Sequence, residues 1–151
     1  MPMTRDELRR QLTAIEPTED TYAGLGPDDV DHLVQLIQDD EDWIAARAVH
    51  ALARISSDRA NETIVDATDD PRREVRAAAA VAARLMPPAA SDEVLRRLID
   101  DGDAAVRKFA VQSVTSGTGD DVLARLDEVA RDDADPRVRD VARRAISDAQ
   151  N

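Results

Sequence analysis

Residues 69–85 read DDPRREVRAAAAVAARL. The acidic pair and Pro71 mark a turn. Val75, Ala79 and Ala83 then recur at steps of four, the spacing of one buried helix face. Arg76 follows Asp70 by six residues, and the same spacing joins Asp101 to Arg107 and Asp133 to Arg139. A spacing that returns three times in one chain points to a repeated structural unit.

Taking the aspartates as anchors, Asp39, Asp70, Asp101 and Asp133 fall at intervals of 31, 31 and 32 residues. Five residues after each comes Ile44, Val75, Val106 or Val138; four further on sits Ala48, Ala79, Ala110 or Ala142, and then Leu52, Ala83, Val114 or Ile146. Ala51, Ala82, Ser113 and Ala145 keep the next position small. A second apolar face precedes each anchor: Val30, Leu33, Leu36 and Ile37, then Ile64 and Ala67, then Leu95, Leu98 and Ile99, then Leu123, Leu126 and Val129. Glycine, serine and proline clusters at 24–27, 56–58, 87–88 and 117–119 separate the units. Pro27 suits a first helical position and Ser91 an N-cap.

The unit is helix, turn, helix. One such pair cannot bury its apolar stripe alone, whereas stacked pairs share a continuous core. The expected fold is therefore all-α, an α-solenoid of about four repeats at 27–56, 57–87, 88–117 and 118–151, with 1–26 as a capping helix and linker. The extra residue of the last interval is assigned to the turn at Asp132-Asp133. Thr4 and Glu7 form a capping-box pair, Leu8, Leu12 and Ile15 share one side, and Pro17 stops the first helix.

Composition narrows the function. There is no cysteine, hence no disulfide or thiolate chemistry. The N-terminus has no apolar signal core, so a cytoplasmic location is expected. Thirty-two acidic against 20 basic residues give a net charge of −12, which opposes binding to nucleic acid or to anionic membranes. Lys108 is the one lysine beside 19 arginines, and aspartates outnumber glutamates 24 to 8. Such a surface resembles that of proteins from salt-in halophiles, where molar salt screens self-repulsion.

The pattern D-x-x-x-x-V-R-x-x-A, carried by Asp70/Val75/Arg76/Ala79, Asp101/Val106/Arg107/Ala110 and Asp133/Val138/Arg139/Ala142, resembles the HEAT-like repeat. The short unit is similar to the variety named after phycobilisome lyases. The resemblance implies that each aspartate caps a second helix and that the arginine reaches the aspartate of a neighbouring unit. Asp70, Arg76, Asp101, Arg107, Asp133 and Arg139 would then form a structural ladder. In the first unit Ala45 takes the arginine's place.

Catalysis is not expected. His32 precedes Leu33 and His50 precedes Ala51, so neither matches the His-Glu pairs of a HEAT-like di-iron hydroxylase. The runs 39–42 and 100–103 lack the spaced ligands of a calcium loop. No phosphate loop or activated nucleophile is recognisable. No catalytic, cofactor or metal residue is therefore assigned. A tetrapyrrole-binding, lyase-like role is an alternative that the resemblance implies, although one Trp, one Tyr and one Phe offer such a ligand little aromatic surface. A structural subunit of a larger assembly is another.

The expected role is that of a protein-binding adaptor using the concave face of the second helices. Positions two, six and nine after Ile44, Val75, Val106 and Val138 should point outward. They include Ala46, His50, Ala53, Ala77, Val81, Arg84, Lys108, Gln112 and Arg144. Trp43 is an anchor for a partner or a cover beside the N-terminal helix, and Phe109 is expected to pack between units.

Overall fold

The computed structural model describes residues 3–13 and 19–151. Ile15 and Pro17, assigned above to the first helix and its stop, lie outside the described residues. The helices are α1 (Arg5–Leu12), α2 (Glu19–Tyr22), α3 (Val30–Leu36), α4 (Asp42–Ile55), α5 (Asp58–Ala67), α6 (Arg73–Ala82), α7 (Pro88–Leu98), α8 (Ala104–Gln112), α9 (Asp120–Asp132) and α10 (Pro136–Ala149). Short 3-10 turns run over Pro27–Asp29 and Ala83–Leu85. The fold is an α-solenoid: α4, α6, α8 and α10 stack in order, and α3, α5, α7 and α9 back them.

The repeat register is the core. Ile44, Val75, Val106 and Val138 are buried, and Ala48, Ala79, Ala110 and Ala142 are fully so. Alanine at that position lets second helices approach their first helices closely, and leucines of the first helices fill the volume left over. Leu33, Leu36, Leu95, Leu98 and Leu126 are all buried. At the N-terminal end α1 packs on α3 and α4 with Leu8 and Leu12 buried, and Thr4 and Glu7 close the capping box.

Two expectations about ends need correction. Ser91 is not an N-cap; α7 already begins at Pro88, whose missing N–H and fixed φ suit the first position, and the Ser91 N–H donates to the Pro87 carbonyl at 2.9 Å. The extra residue of the last unit enters α9 instead of the turn. The Asp133 N–H bonds the carbonyl four residues back, at Val129, whereas Asp39, Asp70 and Asp101 bond three back. An added residue is accommodated by one more α-helical bond. At the start of α9, a Cβ on Gly119 would stand 2.7 Å from Asp92 Oδ2, so a side chain there would push the Asp92 carboxylate aside.

Candidate functional site

The second-helix layer carries two sets of cations, one bound into the frame and one facing out. The frame begins with the turn aspartates. Asp39, Asp70, Asp101 and Asp133 each accept a hydrogen bond from the N–H two residues on, at 3.0, 2.9, 2.9 and 2.8 Å. They do not cap the second helices as the resemblance implied. The capping position falls two residues later, where Asp103 accepts from Ala105 and Val106 and Asp135 accepts from Arg137. The turn aspartate instead fixes the residue at the capping position, which at Glu41 and Arg72 makes no side-chain cap.

Arginines then join the units. Arg76 donates through Nε and Nη2 to Asp101 at 2.8 and 3.2 Å, and Arg107 does the same to Asp133 at 2.9 and 3.0 Å. Each also donates Nη1 to the carbonyl of its own turn aspartate, at 3.0 Å for Asp70 and 2.9 Å for Asp101. In the first unit, where Ala45 replaces the arginine, Arg72 makes both bonds from the other side. It grips Asp70 at 3.0 Å and the Asp39 carbonyl at 3.0 Å. Arg9 of α1 extends the series by reaching Asp39 at 2.8 Å. Arg139 donates to the Asp133 carbonyl at 2.5 Å. Arg9 and Arg72 lie outside the six-residue spacing, so the repeat pattern alone does not reveal them.

The turn aspartates are nearly buried, with side-chain exposures of 7%, 13%, 8% and 6% along the chain. The bond from Arg9 and the N–H of Glu41 hold the Asp39 carboxyl below the usual range. For Asp70 and Asp133 burial pushes upward, but the bonds from Arg72 and Arg107 and from the turn N–H outweigh it, so both are lowered. A lowered folded-state value means that the unfolded chain takes up protons first. The resulting stability is present above the ordinary aspartate range and is lost as pH falls through the lowered values. The thermal midpoint is therefore expected to fall steeply below about pH 4, although neutralising carboxylates on a −12 chain would by itself relieve repulsion. A midpoint that rises on acidification in circular dichroism melts would contradict the ladder.

The outward set lies on the face that carries positions two and six of each register. Val81 is 39% exposed, Leu85 44%, and Phe109 38%. Phe109, expected to pack between units, thus stands partly open to solvent, whereas Ala79, Ala80 and Ala110 are fully buried. Ala46 and Ala77 are half-buried, whereas Ala53 is buried and drops out of the strip. Trp43 is 43% exposed, with the Arg47 guanidinium 4.9 Å from its ring centroid. Arg47 also donates to the Leu12 carbonyl at 2.5 Å, tying α4 to the end of α1.

Arg84, Gln112 and Arg144 line one groove of about 450 Å³, shared with Val141 and Ala145 of α10 and with Asp148. Arg84 has a structural duty there. It donates Nε to the Gln112 carbonyl at 3.1 Å, satisfying the last turn of α8. Lys108 and Arg144 have no carboxylate partner among the described residues. His50 is not open: Tyr22 of α2 meets it edge-on, with ring centroids 4.8 Å apart. Burial, and then the charge of Arg54, push the His50 imidazole below its ordinary value, which keeps it neutral at pH 7.

Among the described residues no group of His, Asp and Glu side chains could hold a metal ion, and no helix is long and apolar enough to cross a membrane. The stacked helix pairs and their aspartate–arginine joints define a class by fold, the α-solenoids. Residues 30–91 match the family of HEAT repeats. No curated protein matches it in sequence. Among solved structures it is similar to a chain of the complex of CpcE and CpcF of phycocyanin lyase from Nostoc sp. PCC7120. That likeness has a TM-score of 0.74 at 23% identity, over 93% of this chain and 96% of that one. Two engineered proteins are similar at TM-scores of 0.57 and 0.53, with 19% and 18% identity. They cover 97% and 96% of this chain and 79% and 80% of theirs.

Proposed function

We propose that this repeat scaffold is a non-catalytic adaptor that holds a protein partner on the face of α6, α8 and α10, in a salt-rich cytoplasm. One observation carries the reading. Val81, Leu85 and Phe109 stand exposed on the same layer as Lys108 and Arg144, cations without a carboxylate partner among the described residues, in a chain with twelve more acids than bases. Exposed apolar groups ringed by polar ones mark interaction surfaces, and aromatic and arginine side chains are the usual anchors. The partner-binding set is accordingly Ala77, Val81, Lys108, Gln112 and Arg144, with Phe109 and Leu85 added. Arg84 is left out of the test because its substitution would also release the end of α8.

The test is capture from a cell extract in molar potassium chloride by the wild type and by Lys108→Glu/Arg144→Glu. A protein retained by the wild type and lost with the variant is expected, while the melting profile of the variant stays within about 0.5 kcal/mol of the wild type, as for other surface changes. Retention unaffected by both substitutions would contradict the reading.

A second reading is favoured by the likeness to the phycocyanin lyase complex, which spans most of both chains. In it the same face takes a linear tetrapyrrole, and mixing with one should then change its visible absorbance. An unchanged spectrum would remove this reading. That complex joins two lyase subunits, so either reading involves a protein partner.

A further inference from the structure

The chain already places a segment of its own on the second-helix face. His50 and Arg54 stand six and ten residues after Ile44, and Val81 and Leu85 stand at the same distances from Val75. On the first pair lies α2. The Tyr22 ring meets His50, and the Arg54 guanidinium sits 5.5 Å from the Tyr22 centroid. Glu19, one helical turn before Tyr22, accepts from Arg54 at Nη1, 3.3 Å away, and also at Nη2. The first unit's share of the face is thus filled by an aromatic ring and a carboxylate from one short helix.

The next shares are bare. Val81 and Leu85 are exposed where His50 and Arg54 are covered, and Phe109 stands beside them in chain order on α8. Among the described residues Lys108 and Arg144 have no carboxylate partner, whereas on the first-helix layer Arg96 pairs with Asp121 and Arg125 with Asp100. Asp148 in the groove marks the far end of the basic stretch.

Resting on the adaptor reading, we infer that the face of α6, α8 and α10 receives a short acidic helix bearing an aromatic side chain, laid down in continuation of α2 and held as α2 is held. Its ring packs on Val81, Leu85 and Phe109, and its carboxylates meet Lys108 and Arg144. At low salt a long polyanion or a second copy is disfavoured, because the −12 chain repels charge that does not land on those two side chains. In molar salt the Debye length shrinks to about 3 Å, so the aromatic anchor and direct ion contacts carry the affinity there.

The probe is a fluorescein-labelled peptide of residues 13–26, TAIEPTEDTYAGLG, titrated with the full chain and read by fluorescence anisotropy in 0.15 M and 2 M potassium chloride. Saturable binding is expected. It should weaken roughly tenfold in the Lys108→Glu/Arg144→Glu variant and roughly tenfold when the peptide's tyrosine is alanine. Arg54→Glu, which touches the α2 site alone, should leave it nearly unchanged. Melting profiles of each variant verify that the fold is retained. Absence of binding in both salts overturns the inference. So does binding that survives Lys108→Glu/Arg144→Glu but is lost with Arg54→Glu, since the peptide would then merely replace α2. If the peptide fails while capture from extract still depends on Lys108 and Arg144, the adaptor reading stands and the acidic-aromatic partner falls.

Discussion

Arg107→Ala is expected to destabilise the protein by about 3–5 kcal/mol, the cost of breaking a buried ion pair from one side. Asp133 has 6% of its side chain exposed and takes two of its hydrogen bonds from Arg107. Without the guanidinium it keeps the N–H of Asp135 and little water. The lost bond to the Asp101 carbonyl adds to the cost. Because a solenoid is stabilised mainly through neighbouring-unit contacts, α9 and α10 should loosen first. Urea unfolding followed by circular dichroism measures the effect at constant slope, and the thermal midpoint should drop roughly 10 °C. The effect should persist in molar salt, since buried pairs are screened far less than exposed ones. The double variant Arg107→Ala/Asp133→Ala should cost less than the two single changes summed, as expected for directly coupled residues.

Leu95→Ala is expected to cost about 2–5 kcal/mol. Leu95 is fully buried on α7, facing a second-helix layer whose own core positions are Ala79, Ala82, Ala83 and Ala110. Alanines contribute little volume, so the first-helix leucines supply most of the apolar area there. Small neighbours also relax poorly into a new cavity, which places the cost toward the upper part of that range. The reverse change, Ala110→Leu, should cost about 1–3 kcal/mol by overpacking the same seam. A chain that tolerates both without loss in urea unfolding would not have the packing described here.

The repeat was legible because burial recurs every 31 residues, and one register places Ile44, Val75, Val106 and Val138 in the core together. Joints that break the register were not. Arg72 enters the ladder from two residues after its aspartate, and Arg9 enters from a helix outside the repeats. Only the folded chain brings them to Asp70 and Asp39. The outward strip was partly legible. Val81 follows from helical periodicity, but the covering of His50 by Tyr22 depends on where a separate short helix lands. Phe109 was misplaced because periodicity gives direction and not depth of burial. Arg84 and Lys108 look alike in sequence, yet one holds a helix end and the other has no carboxylate partner among the described residues.

Arg107 and Lys108 are adjacent in sequence and opposite in assigned role, so they test the account together. The measurement is the thermal midpoint of Arg107→Ala beside that of Lys108→Glu in the same buffer. The account predicts a drop of roughly 10 °C for Arg107→Ala and a shift within about 2 °C for Lys108→Glu. Equal drops, or a larger one at Lys108, would contradict the division between a structural ladder and an open docking face.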